Sequence, residues 1–286
     1  MSPVEEFAFL DPWHQLLPER GVVGIAGSGG CTTLLLALTR IWRERGQSVL
    51  VAQTTAHPVP FGLEQARVAA QAEAVAAQIR DAGLAVVTSG GDRAGKRGGK
   101  SGGMSGREGG ISPDELEDLR SASGADVMVV QAQASAGQLL RTGSAAPLWP
   151  RSMGLALLVA QVGLAGRLWK GVTGEDDGDM ETASGGPRRV EVADLVQSLN
   201  PLLETLPASA RPLPFLTGLG AWRDLDGMFS IVQEFWQDPR VWVVALGELI
   251  GDERRDAADL RDLPAQVQDP FANGRIYAVY PAGLDD

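Results

Sequence analysis

The stretch Gly27-Ser28-Gly29-Gly30-Cys31-Thr32-Thr33 offers backbone chemistry before it offers side-chain chemistry. A glycine-rich turn at the head of a helix points N–H groups at one spot, and the helix dipole makes that spot attractive to an anion. The apolar run GVVGIA precedes the turn, and Leu34, Leu35, Leu36, Leu38 and Ile41 follow it, so the context is strand, turn and helix. In a phosphate loop of the form G-x-x-x-x-G-K-[ST] a lysine would stand where this chain has Cys31, its only cysteine. That lysine neutralises the β- and γ-phosphates of a nucleotide through charge-assisted bonds worth about 1.5–3 kcal/mol each. Cysteine is short and uncharged and does not replace it. Thr32 still occupies the place of the magnesium-binding hydroxyl. A thiol at a helix N-terminus can also be a reactive thiolate, but no base or second cysteine stands near Cys31 in the sequence to support that role.

Other chemistries find less support. Two histidines, His14 and His57, and one cysteine make no zinc-ligand spacing and no disulfide framework. The segment from Ser89 to Gly110 contains GGKSGG, yet no apolar helix follows Ser101, so 89–110 reads as a flexible Gly/Lys/Arg-rich loop. The segment 174–189 is acidic and then Gly/Pro-rich, and its carboxylates lack the ordered spacing of a cation loop. A net charge of −11 argues against nucleic acid as a partner. The acidic N-terminus does not read as a secretory signal, and Gly154 to Gly166, the longest apolar stretch, is too short to span a bilayer. The expectation is a cytoplasmic protein without a membrane partner.

The elements that must position the turn follow from alternating short apolar runs and longer helical stretches, the pattern of a parallel sheet covered by helices. Candidate strands are Gly21 to Ala26, Ser48 to Thr54, Asp126 to Ala132, Leu155 to Val162, Leu213 to Thr217 and Val241 to Leu246. Most are continuously apolar, as strands buried on both faces are. Val68, Ala72, Val75 and Ile79 have helical spacing and predict a helix from Glu64 to Ala82; Met228, Ile231, Val232 and Phe235 do the same for Arg223 to Asp238. With 286 residues, the chain reads as one three-layer α/β domain over 1–286, with a mainly parallel sheet and a crevice at the carboxyl ends of its strands.

Taken in order, these pieces resemble the YqeC family, P-loop NTPase-like accessory proteins of selenium-dependent molybdenum hydroxylases. A GAGGKTS-like loop is matched by Gly27 to Thr33, and a VLVTTTT-like strand by VLVAQTTAHPVP with Thr54 and Thr55. An EADGSAG-like strand end is matched by QAQASAG with Gln131, Gln133 and Ser135. LLRTG stands for an LKxP segment, APLWP for EPxxP, and VGLAG for GLxxLG. Departures from the family pattern fall on charged positions. Its lysine is Cys31, its acidic pair is Gln131 and Gln133, and the glutamate of EPxxP is Ala146. After the strand near Leu216, TGLG supplies neither the amide nor the carboxylate of a base-recognition element.

The resemblance implies a P-loop-like fold, a phosphate or nucleotide site at Gly27, Ser28, Gly29, Gly30, Cys31, Thr32 and Thr33, and a crevice lined by Thr54, Thr55, Gln131, Gln133, Ser135 and Arg141. It implies ATP or GTP as the ligand, and a molybdenum hydroxylase or another maturation protein as the partner. Magnesium prefers anionic oxygen, so the two glutamines remove most of the charge of its site. Each lost electrostatic contributor costs about 100 to 1000-fold in rate, and an accessory protein that binds without efficient hydrolysis is the leading expectation. An alternative is an active NTPase that recruits Lys96, Lys100 or, better placed, Arg141 as its cation. Another is a structural subunit pairing with an active homologue, with Trp149, Trp169, Trp222 and Trp236 as interface anchors or core residues.

Overall fold

The computed structural model describes residues 16–54, 63–88, 111–133, 146–169, 188–218, 231–241, 243–246 and 277–279. Among the described residues nine strands form one sheet: β1 (Gly21–Ser28), β2 (Val49–Gln53), β3 (Arg67–Val68), β4 (Leu84–Val87), β5 (Val127–Gln131), β6 (Met153–Gln161), β7 (Arg211–Thr217), β8 (Val244–Leu246) and β9 (Tyr277–Val279). Their order is β3-β4-β2-β5-β1-β6-β7-β8-β9, parallel throughout except for the antiparallel pair β8 and β9. Helices α1 (Cys31–Glu44), α2 (Ala72–Ala82), α3 (Pro113–Ser123) and α4 (Val192–Glu204) cover it.

Alternation of side chains along the strands sorts the core into two layers. Val23, Ile25, Val51, Val129 and Val159 pack with Leu34, Leu35, Leu38 and Trp42 of α1. Ala26, Ala52, Val130 and Leu158 pack on the other face, with Val75, Ile79, Leu116, Leu119 and Leu195 from α2, α3 and α4. The result is the expected three-layer, mainly parallel α/β architecture. Gly24 is required by packing, because a Cβ there would run into Met153 and the Trp149 ring. The sequence APLWP thus contributes a buried indole beneath β1, whose Nε1 donates to Thr205 Oγ1 at 3.2 Å.

Several element boundaries differ from the periodicity reading. The helix expected from Glu64 begins only at Ala72; Glu64–Ala66 is a 3-10 turn and Arg67–Val68 pairs with β4 as an edge strand. Val68 meets the same core from a strand, so its spacing from Ala72 imitated a helical stripe. β4 was not expected: its four residues follow directly on Gly83, the left-handed C-cap of α2. β3 and β9 are likewise additions, and the strand expected from Val241 is confined to Val244–Leu246. Residues 231–235 are helical, and the rest of the helix expected from Arg223 through Ser230 lies outside the described residues. So do 89–110 and 174–187 of the two expected loops.

The amino-terminal edge of the sheet is fastened by polar groups. Asp126 Oδ2 accepts from the Ser48 backbone N–H at 3.0 Å and from Ser48 Oγ at 2.8 Å, while the Asp126 N–H donates to Ser48 Oγ at 2.9 Å. Arg20 Nε stands 3.3 Å from Asp126 Oδ1. These bonds tie the starts of β2 and β5 together. Arg43 of α1 donates to the carbonyls of Ala82 and Gly83 at 2.8 and 3.0 Å, joining α1 to the end of α2 below the same edge. The Ser48 N–H, then its hydroxyl, hold the Asp126 carboxyl below its ordinary value, against the opposing effect of burial and with a smaller contribution from Arg20. A depressed folded-state value stabilises the fold above the unfolded carboxylate range, and that contribution disappears as pH falls through the folded value. Asp126→Ala should therefore cost about 1–3 kcal/mol at pH 7. The gap to the parent protein should narrow in acid, as read by urea denaturation across pH; a gap that stays constant would contradict the assignment.

Candidate functional site

β1 is where the sheet changes direction. The chain lays β2, β3, β4 and β5 to one side of it and then β6, β7 and β8 to the other. Loops at the carboxyl end of such a strand face a crevice between neighbouring connections. The turn that leaves β1 is built from positive-φ glycines: Gly27 at 137°, Gly29 at 75° and Gly30 at 75°. At Gly27 a Cβ would also run into the Val159 carbonyl, so only glycine lets β1 and β6 stay paired there.

Gly30 caps α1 in the left-handed conformation and its carbonyl accepts from Leu34 N–H at 2.8 Å. No side chain caps this helix end, and its first turn carries no acidic residue. The first N–H groups of a helix have no intrahelical acceptor, so the turn presents Cys31, Thr32 and Thr33 N–H groups at the positive end of α1. Thr32 and Thr33 are half-buried. Ser28 is 3% exposed and its Oγ has no hydrogen-bond partner.

Beside the turn, the carboxyl ends of the strands carry neutral polar groups. Gln53 on β2 and Gln131 on β5 are register partners, and Gln53 Nε2 donates to Gln131 Oε1 at 3.3 Å. Gln131 is also in register with Ile25 of β1. On the other side of β1, Gln161 ends β6 opposite Thr217 of β7. Its Oε1 lies so close over Gly29 that a Cβ there would meet it. By strand alternation, Gln53, Gln131, Gln161 and Thr217 continue the α1 face of the sheet. Thr54 and Gln133 are buried just beyond β2 and β5, the Thr54 N–H donating to the Gln131 carbonyl at 3.2 Å. Thr54 Oγ1 has no hydrogen-bond partner.

The expected site residues therefore divide. Gly27, Ser28, Gly29, Gly30, Cys31, Thr32 and Thr33 form the turn and the first residues of α1, and Thr54, Gln131 and Gln133 end neighbouring strands at the same edge. Thr55, Ser135 and Arg141 lie outside the described residues, as do Lys96, Lys100 and Trp222. Gln53 and Gln161 were missed; their one signal is an amide at the end of an apolar run. Trp149 and Trp169 are buried, the latter beneath the Arg188 guanidinium at 3.6 Å, and Trp236 is partly buried against the core. Two clefts, of about 660 Å³ between α4 and 234–240 and about 440 Å³ between α2 and α3, stand apart from the glycine turn.

The donor set among the described residues does not fit magnesium. Neutral amides stand at the strand ends where carboxylates would hold the ion, and no cluster of three His, Cys, Asp or Glu exists among the described residues. Nor does Cys31 reach outward as a lysine would: it is buried with Ile25, Leu34, Leu35 and Val159. Burial pushes its thiol up to about 12, partly offset by a hydrogen bond with its own backbone. A reactive thiolate is thereby disfavoured. The folded protein should resist a thiol-disulfide reagent such as dithiobis-nitrobenzoate at pH 8, and react with one equivalent after denaturation. Fast labelling of the folded chain would contradict this placement.

Among the described residues no helix is long and apolar enough to cross a membrane. A family model described as YqeC protein matches residues 23–172, more than half of the chain and the part that runs from β1 through β6. No curated protein matches. Among solved structures the chain is similar to FtsY from Mycoplasma mycoides, at 11% identity and a TM-score of 0.37. That similarity covers 82% of this chain and 63% of the other, so the chain spans less than two thirds of the length of FtsY.

Proposed function

The chain belongs to the YqeC family, and from that premise we propose that it is a P-loop-like accessory protein in the maturation of a selenium-dependent molybdenum hydroxylase. In this reading it binds a nucleotide, another anion or a protein partner at the carboxyl edge of its sheet, and does not hydrolyse nucleotide efficiently. The observation that carries the proposal is the buried amide pair, Gln53 and Gln131, beside a glycine turn whose cysteine is part of the core. In this reading the turn keeps the backbone of an anion site, without a lysine or carboxylates beside it among the described residues. ATP or GTP would meet the N–H groups of the turn, but nothing among the described side chains there would stabilise the charge that develops in phosphoryl transfer. The maturation role rests on family membership, since a fold by itself does not specify a function.

Purified full-length protein should release no phosphate from ATP or GTP above the buffer rate, with or without magnesium. Cys31→Lys alone should not restore turnover, because an ammonium at that position still lacks carboxylates for a metal ion. Turnover by the unmodified chain, or its appearance in Cys31→Lys, would overturn the non-hydrolytic reading. For the partner, affinity isolation of the tagged chain from its own cells should recover a molybdenum hydroxylase or a second maturation protein. Recovery of neither would remove the accessory role.

A further inference from the structure

The larger of the two clefts lies apart from the glycine turn and does not depend on what that turn binds. Val196, Leu203 and Phe235 form its buried floor, and at about 660 Å³ it is of the size that takes a small ligand or one side chain with its flanking backbone. Exposed polar side chains from both walls make its rim: Gln197, Asn200 and Glu204 from α4, and Glu234 and Gln237 from the other side.

The rim is negative. Arg240 is the cation among the lining residues, and Asp238 already holds it, with Nε at 3.0 Å and Nη2 at 2.7 Å from its carboxylate oxygens. Glu204 and Glu234, one on each wall, form no ion pair with a described residue. Glu204 is also the last residue of α4, and the last turn of that helix carries no basic residue. The carboxyl end of a helix is its negative pole, where a cation is favoured and a carboxylate is not. Within the same helix, Pro201 has no N–H to offer the carbonyl of Gln197 one turn earlier. A helix pole, a carbonyl without its helical donor and two carboxylates thus favour one kind of guest, a cation that donates hydrogen bonds.

A hard metal ion makes poor use of this cleft. Among the described residues no group of three His, Cys, Asp or Glu stands ready to ligate one, and the apolar floor offers it nothing. A guanidinium or ammonium on an apolar stem uses both parts, with its head at the rim and its stem over Val196, Leu203 and Phe235. We propose that the cleft between α4 and 234–240 binds an organic cation, a guanidinium or alkylammonium group on a short apolar stem, held by Glu204 and Glu234.

Isothermal titration of the full-length chain with butylguanidinium, butylammonium, the neutral isostere butylurea and the capped peptide acetyl-Gly-Arg-Gly-amide tests this. The cations should bind at low ionic strength and weaken as sodium chloride is added, and butylurea should bind about tenfold more weakly than butylguanidinium. Tighter binding of the peptide than of butylguanidinium identifies the side chain of a protein partner as the source of the cation, whereas the reverse order identifies a free small molecule. Glu204→Gln and Glu234→Gln should each weaken the cations about tenfold, because an amide keeps the shape of the rim without its charge. Both positions are exposed, so urea denaturation should show the parent stability in each variant. Absence of binding by every cation at millimolar concentration would overturn the proposal, as would equal binding of butylurea or a cation affinity that survives both substitutions together. Nucleotide turnover, which would sink the non-hydrolytic reading, leaves this result untouched.

Discussion

Burial of the central strands on both faces is the constraint from which the rest of the structure follows. β1 lies between β5 and β6, with α1 packed on one side of the sheet and α2, α3 and α4 on the other. Nothing polar can be placed along such strands without losing water on both faces, so polar side chains collect where the strands end. Ser28, Gln53, Thr54, Gln131, Gln133 and Thr217 are buried polar residues at the carboxyl edge, whereas the amino edge holds the bonds between Ser48 and Asp126. One edge fastens the sheet, and the other gathers neutral polar side chains.

The same constraint explains why the changes at the site belong together. A carboxylate at position 131 would be buried, and a buried charge that loses its partner typically costs about 3–5 kcal/mol. With Cys31 in the core, no ammonium reaches that edge from α1, so acids there would lack a compensating charge among the described residues. Amides remove the problem, since Gln53 and Gln131 bond to one another and stay neutral at every physiological pH. In the proposed reading, the missing cation and the missing acids are one electrostatic event seen at several positions. The glycines are held independently of that event: Gly27 answers to the Val159 carbonyl and Gly24 to the Trp149 ring, requirements of packing that do not depend on a ligand.

How far the sequence could be read depended on the source of each signal. β1, β2, β5, β6 and β7 were visible because burial on both faces leaves uninterrupted apolar runs. β3 and β4 were not, because a two-residue edge strand and a four-residue strand beside an alanine-rich helix carry too little pattern of their own. The glycine turn was legible because positive φ restricts residue type locally. Gln53 and Gln161 were not, because what matters about them is the neighbour: Gln131 is 78 residues from Gln53 in the chain, and Gln161 meets Gly29 only after β6 has docked on β1. A polar residue ending a strand looks the same in sequence whether it enters a loop or faces a partner.

The clasp between Ser48 and Asp126 also bears on how chains of this kind can vary. It closes 78 residues of sequence by a few bonds at the floor of the sheet. Closure entropy grows only with the logarithm of loop length, so doubling the enclosed chain would cost on the order of 0.6 kcal/mol. Loops between the packed elements in this stretch can therefore change length at little entropic cost while the spacing of β2 and β5 stays fixed. Variation in length and permanence of the carboxyl edge are thus compatible, because the fastening point lies at the opposite end of the strands.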